Sequence, residues 1–247
     1  MSYSTFLKTS VMKALNKALP GLCIGIGLIV MGCLLSHGII TVKDRDRIVT
    51  VKGLAEREVK ADRVIWPLVF KEIGNDMTSI YNAVNKKNEI VCDFLKNNGI
   101  NENEISIAAP QIIDMRAERY ANNNEIPYRY NVTSVITVTS NQIDKVRELI
   151  SRQVDLLKQG VAIIDGDYRY TTQYSFTGLN DIKPEMIEEA TVAARLAAEK
   201  FAKDSDSKLG KIRRANQGQF VISNRDENTP YIKEVRVVTT IDYYLKD

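Results

Sequence analysis

The chain has 247 residues, of which 44% are hydrophobic and 26% charged, with a formal net charge of +3. That near-balance excludes the strongly basic face that nucleic-acid binding requires. Histidine and cysteine exclude more: Cys23, Cys33 and His37 lie in one apolar N-terminal run, and Cys92 alone is left beyond it. A domain so composed forms no internal disulfide, no Ser-His-Asp triad and no His- or Cys-rich zinc site. Carboxylate, lysine or serine chemistry remains open.

Residues 19–40 contain no Asp, Glu, Lys or Arg, and about 20 apolar residues span a bilayer core. A cleaved signal has a shorter apolar core and a small-residue exit. Val30-Met31-Gly32-Cys33 loosely resembles a lipoprotein cleavage box, but the residues after Cys33 stay apolar. The run is therefore expected to be an uncleaved transmembrane helix that contacts the lipid bilayer. Lys8, Lys13 and Lys17 precede it, and Lys43, Arg45, Arg47 and Lys52 follow. That count sets no orientation, and long C-terminal domains translocate largely regardless of flanking charge. The expected organisation is a short cytoplasmic N-terminus at 1–18, an anchor at 19–40, a linker at 41–46 and one extracytoplasmic domain at 47–247.

The domain opens with two strands. Val49, Val51 and Gly53 alternate with Ile48, Thr50 and Lys52, and Val64, Trp66, Leu68 and Phe70 share a face opposite Ile65, Val69 and Lys71. Period two means strand, and Pro67, lacking a donor, implies an edge or bulge. A helix is expected next, capped near Asp76 or Thr78 and ended by Gly99, with Ile80, Ala83, Val84, Val91, Phe94 and Leu95 inward. Cys92 borders that stripe as a reactive thiol or, better, a quiet half-buried one. Two further strands flank the polar turn "ANNNE", the second alternating Tyr130, Val132, Ser134, Ile136 and Val138 with their neighbours. A helix over 141–157 buries Ile143, Val146, Leu149, Ile150, Val154 and Leu157.

"DYRYTTQYSF" reads as a strand whose Tyr168, Tyr170, Thr172, Tyr174 and Phe176 project together. Pro184 is expected as the first residue of a long helix to about Asp204, with Ala190, Ala194, Ala197 and Ala198 inward and Ile187 and Phe201 at the ends. Two strands, near 211–223 and 231–246, close the chain. The fold class is α+β: a mostly antiparallel sheet with helices on one face, preceded by one N-terminal transmembrane helix.

Each polar cluster admits a plain and a functional reading. Asp165 and Asp167 around Gly166 suit a divalent cation or a polar turn. Lys208, Lys211, Arg213 and Arg214 suit an anionic polymer or lipid head group, or a strand edge where charge deters pairing. Arg116, Arg119 and Arg129, interleaved with Tyr120, Tyr128 and Tyr130, suit a subunit interface, a bound ligand or hairpin packing. Glu185, Glu188 and Glu189 favour a helix dipole. Asn131 begins an Asn-Val-Thr glycosylation pattern but lies in an alternating strand. No residue is assigned as catalytic, cofactor-binding or metal-ligating, no cofactor is expected, and homo-oligomerisation through strand edges and the Tyr/Arg hairpin is.

"IVTVKGLAEREVKADRV", with Gly53 and Ala61-Asp62, resembles the opening of the SIMPL-domain family. "FLKNNGINENEISIAAPQI" resembles its next signature, with Asn98, Gly99, Ile100, Glu104, Ile105 and Pro110 at the matching positions. "ATVAARLAAEKFAKDSDSKLGKI" is similar to its late alanine-rich helix, leaving through Leu209-Gly210. The likeness runs roughly from Arg47 to Asp247. It departs at Ala55, where the family has a second glycine, and at Ala61, where a proline is usual. The resemblance implies a bacterial cell-envelope protein, usually periplasmic or membrane-associated, in a family without established catalytic residues and with some members similar to ring-like assemblies; with the anchor it places the domain on the periplasmic side of the inner membrane. A non-enzymatic assembly in envelope integrity or stress tolerance is then expected. The alternative is a tethered binding module or carboxylate enzyme.

Overall fold

The structure, a computed structural model, describes residues 21, 24–39, 47–117 and 127–246. Residues 24–39 form an apolar helix, and Ile24, Leu28, Ile29, Leu34, Leu35 and Ile39 are all exposed on it. Among the described residues no helix is long and apolar enough to cross a membrane. Apart from Gly21, the residues beyond its two ends that complete the expected 19–40 span lie outside the described residues, as do "ANNNE", Arg119 and Tyr120.

Among the described residues nine strands follow. They are β1 (Ile48–Lys60), β2 (Arg63–Gly74), β3 (Ile105–Ile107), β4 (Gln111–Asp114), β5 (Tyr130–Ser140), β6 (Gln173–Ser175), β7 (Lys208–Gln217), β8 (Val221–Asn224) and β9 (Ile232–Lys246). Among the described residues four α-helices interleave with them: α1 (Met77–Asn97), α2 (Ile143–Ser151), α3 (Val154–Lys158) and α4 (Leu179–Asp204). The class is α+β as expected, but there are two sheets. One runs β1-β9-β7, with β8 also on β9. The other runs β3-β5-β2-β6, with β4 also on β5. Every pairing with a defined register is antiparallel. β1 and β2 are consecutive yet part company at Ala61-Asp62, where Ala61 N–H donates to the Tyr231 carbonyl and Asp62 N–H to the Ser175 carbonyl.

By contact density the chain divides into two units, and the division falls within β1, α4 and β9. The first comprises Met1–Ala55, Ile187–Gly218 and Val238–Asp247. Its core is small: Val51, Ala194, Ala198, Ile241 and Tyr243. The second comprises Glu56–Met186 and Gln219–Val237. There α1 lies across β2 and β5, closing a core of Trp66, Leu68, Phe70, Val91, Leu95, Ile136 and neighbours.

Local chemistry sets α1 at both ends. The Asp76 carboxylate accepts from the Ser79 N–H at 2.7 Å, an N-cap. At the exit Gly99 has φ +82°. Its N–H donates to the Lys96 carbonyl, and Ile100 N–H to the Leu95 carbonyl, the paired bonds of a Schellman cap. Ile100 is buried there.

Elsewhere the sequence pattern misleads. The helix expected over 141–157 breaks at Arg152-Gln153, and the break shifts its phase. Leu156 is buried, while Val154 and Leu157 are more than half exposed. The strand expected at 167–176 is a 3-10 turn over Tyr168–Tyr170 and then the three residues of β6. The Asp167 side chain accepts from Arg169 N–H, and such a local bond competes with a strand ladder. Tyr168 is 86% exposed while Tyr174 packs on the core, so the tyrosines do not project together. α4 begins at Leu179, which leaves Pro184 inside it. Its buried stripe is Met186, Ala190, Ala194, Ala198 and Ala202, and Phe201 is exposed. The closing segment makes three strands instead of two.

Pro67 behaves as read, within limits. β2 has β5 beside it from Val64 to Gly74, but β6 covers only Arg63–Ile65. Val69, two residues after Pro67, turns its carbonyl away from β5 to accept from Ile164 N–H. Pro67 thus directs its missing donor to the flank that β6 leaves uncovered.

Candidate functional site

One concave feature stands out in the second unit, a groove of about 700 Å³ between α1 and the strand edge formed by β3 and β4. α1 contributes residues at three- and four-residue spacing, including Ile80, Tyr81, Val84, Asn88 and Cys92. Ile107 and Ile112 face them from the edge, with Val132 of β5 beneath. The register explains this. Ile107 pairs with Ile136 and Ile112 with Val132, so both isoleucines share the face of β5 that α1 covers. A residue apart they would point the other way.

The groove is apolar in its floor and acidic at its rim. Glu89 and Asp93 line it, and neither makes an ion pair among the described residues. Lys96 also lines it but is paired to Glu102 at 2.8 Å. Burial raises the Cys92 thiol above its ordinary pKa, so it stays protonated and weakly nucleophilic at neutral pH. Ser134, fully buried, donates through Oγ to Asn88 Oδ1 at 2.9 Å and ties the helix to β5.

The residues singled out from sequence do not converge. Gly166 has φ +93° and donates its N–H to Asp165 Oδ1. Asp167 is taken by Arg169 through contacts of 2.7 and 3.0 Å. That guanidinium holds the Asp167 carboxyl at a pKa of about 2. Among the described residues no group of three or more His, Cys, Asp or Glu is placed to hold a metal ion. Lys208, Lys211, Arg213 and Arg214 lie on β7, exposed throughout and at the end of its sheet, the charged edge expected of them. Arg129 grips Asp114 with two nitrogens at 2.8 and 3.0 Å and donates its backbone N–H to Asn75 Oδ1. It therefore braces β4 to β5 within its own chain. Tyr128 stays 45% exposed. Glu185 pairs with Arg57 at 2.8 Å. Asn131 sits in β5 between Ile73 and Ile113, with Oδ1 buried and lacking a hydrogen-bond partner.

The quoted motifs resolve into fold chemistry. Asn98-Gly99-Ile100 is the cap of α1. Glu104 reaches back to the Asn101 N–H at 2.9 Å, a capping box. A β-carbon at Gly210 would stand 2.7 Å from the Tyr244 carbonyl oxygen. Asp62 accepts from Thr177 N–H, Thr177 Oγ1 and Gly178 N–H at 2.8–3.0 Å. The Ala-Asp spacing marked Asp62, but its partners are 115 and 116 residues away and carry no local signal. The groove was equally silent, because its two walls come from separate segments.

The family model SIMPL, described as a protein of unknown function (DUF541), matches residues 49–240. No curated protein matches the chain.

Proposed function

Since the chain belongs to the SIMPL family, which brings no activity with it, we propose from its own residues that it is a membrane-anchored envelope protein. In this reading the domain after residue 46 faces the periplasm and works by binding and assembly instead of catalysis. One observation carries it: residues 24–39 form a helix apolar around its circumference, with its large side chains exposed. Such a helix is stable in lipid or in a core, and here lipid is the cover. The described turns rise about 24 Å against a hydrocarbon core of about 30 Å, and the uncharged run of the sequence extends beyond them over residues 19–40. Dispersed charge supports binding over catalysis: Asp114, Asp167 and Asp226 each face an arginine of their own chain, and none lines the groove.

Two measurements test the reading. The intact mass of protein extracted from membranes is expected to include the residues before Cys33. Protease added to spheroplasts is expected to digest the domain. An acylated N-terminus at Cys33, or one near residue 40, overturns the uncleaved anchor. Digestion only after lysis overturns the orientation. Self-association belongs to the same reading, and light scattering of the detergent-solubilised chain is expected to give a defined oligomer.

A further inference from the structure

The two sheets end in edges of opposite character. β7 carries Lys211, Arg213 and Arg214, charges that deter pairing. The β3–β4 edge has no such guard. Residues 106–113 read Ser-Ile-Ala-Ala-Pro-Gln-Ile-Ile, all exposed and without a charge. Among the described residues β3 and β4 pair only with β5, so their outer backbone groups have no strand neighbour there. An uncharged, exposed edge is a template for another strand. The apolar groove beside it, walled by α1, can take that strand's alternate side chains.

We propose that this edge and groove form a binding site for an extended peptide segment of a partner protein, joined by strand addition. The segment carries apolar residues at alternate positions and a Lys or Arg at its flank. Backbone pairing with β3 and β4 supplies the attraction, and the groove between Ile107, Ile112 and the α1 stripe selects the side chains. Charge decides against the same edge of a second copy as occupant. Glu89 and Asp93 stand at the rim without an ion pair among the described residues, and residues 106–113 of another copy would bring no cation to answer them. The proposal goes beyond the anchored-envelope reading and does not depend on which way the domain faces.

The test uses the full chain in detergent and the fluorescein-labelled heptapeptide Lys-Val-Thr-Ile-Thr-Val-Lys, read by anisotropy. Saturable binding is expected. Methylating alternate backbone nitrogens of the peptide is expected to abolish it, with the protein left unaltered. Ile112→Lys, at an exposed position, is expected to weaken binding about tenfold or more, with an unchanged circular dichroism spectrum. Replacing both peptide lysines with glutamates is expected to cost about fivefold, and Glu89→Lys with Asp93→Lys to reverse that preference. Equal binding of the methylated and parent peptides, or no effect of Ile112→Lys, overturns the proposal. So does an oligomer that the heptapeptide dissociates, since a second copy would then be the occupant.

Discussion

Gly53 of β1 and Ala190 of α4 approach so closely that a β-carbon at Gly53 would stand 1.8 Å from the Ala190 carbonyl oxygen and 2.5 Å from the Ala194 nitrogen. Both obstacles are backbone, so no side chain can swing aside. The small stripe Ala190, Ala194 and Ala198 on the helix and the missing side chain on the strand are two halves of one contact. Both lie in the first unit, whose core is small, so the loss of that contact has little to fall back on.

Gly53→Ala is therefore expected to destabilise the protein by about 3 kcal/mol or more, at or beyond the upper end for overpacked cores. Urea unfolding of the solubilised chain, followed by circular dichroism, measures it. Gly160→Ala gives a contrast. Nothing lies within 4 Å of a β-carbon there, although φ is +81°, so its cost is the backbone strain alone, about 1 kcal/mol. Equal losses at the two positions would contradict the close-approach explanation.

Asp62 fastens the β1–β2 turn to the segment entering α4. Asp62→Ala leaves the N–H groups of Thr177 and Gly178 without their acceptor, and a loss of about 2 kcal/mol is expected. Asp62→Asn keeps one oxygen and is expected to lose about half as much. Amide hydrogen exchange offers a local check, with Thr177 and Gly178 exchanging faster in Asp62→Ala than in the parent. Unchanged protection at both amides would show that the carboxylate is not what holds the turn.

Lys233 gives a pH dependence. It is 7% exposed on β9, and its ammonium donates to Asn224 Oδ1. Burial lowers its pKa below the ordinary lysine value. The unfolded chain then holds the proton more tightly than the folded one, so stability rises as pH climbs through the folded pKa toward about 10.4. Below that window the charge stays buried and its cost is paid in full. Lys233→Met is expected to stabilise the protein by about 1 kcal/mol at pH 7, with the gain shrinking toward pH 10. Urea melts of both proteins at the two pH values decide this. A gain that holds constant with pH would mean that packing, not the charge, was responsible.

Alternation and caps, which act within a few residues, were readable from the letters. Val64 to Phe70 and Tyr130 to Val138 declared β2 and β5, and Asp76 and Gly99 set the ends of α1 through bonds to Ser79 and Lys96. The SIMPL resemblance was legible for the same reason, since its motifs are caps, turns and close backbone approaches. Tertiary structure decided what depends on distant partners. It sent β1 and β2 into different sheets, through bonds from Ala61 and Asp62 to Tyr231 and Ser175. It buried Leu156 in place of Leu157 once the helix broke at Arg152. It turned Tyr168 outward because the Asp167 side chain accepts from the Arg169 N–H. The groove belongs wholly to this second class. Ile107 and Ile112 reach the α1 stripe only because β3 and β4 both pair with β5 in one register, and an antiparallel register is fixed by hydrogen bonds between segments that no local periodicity connects.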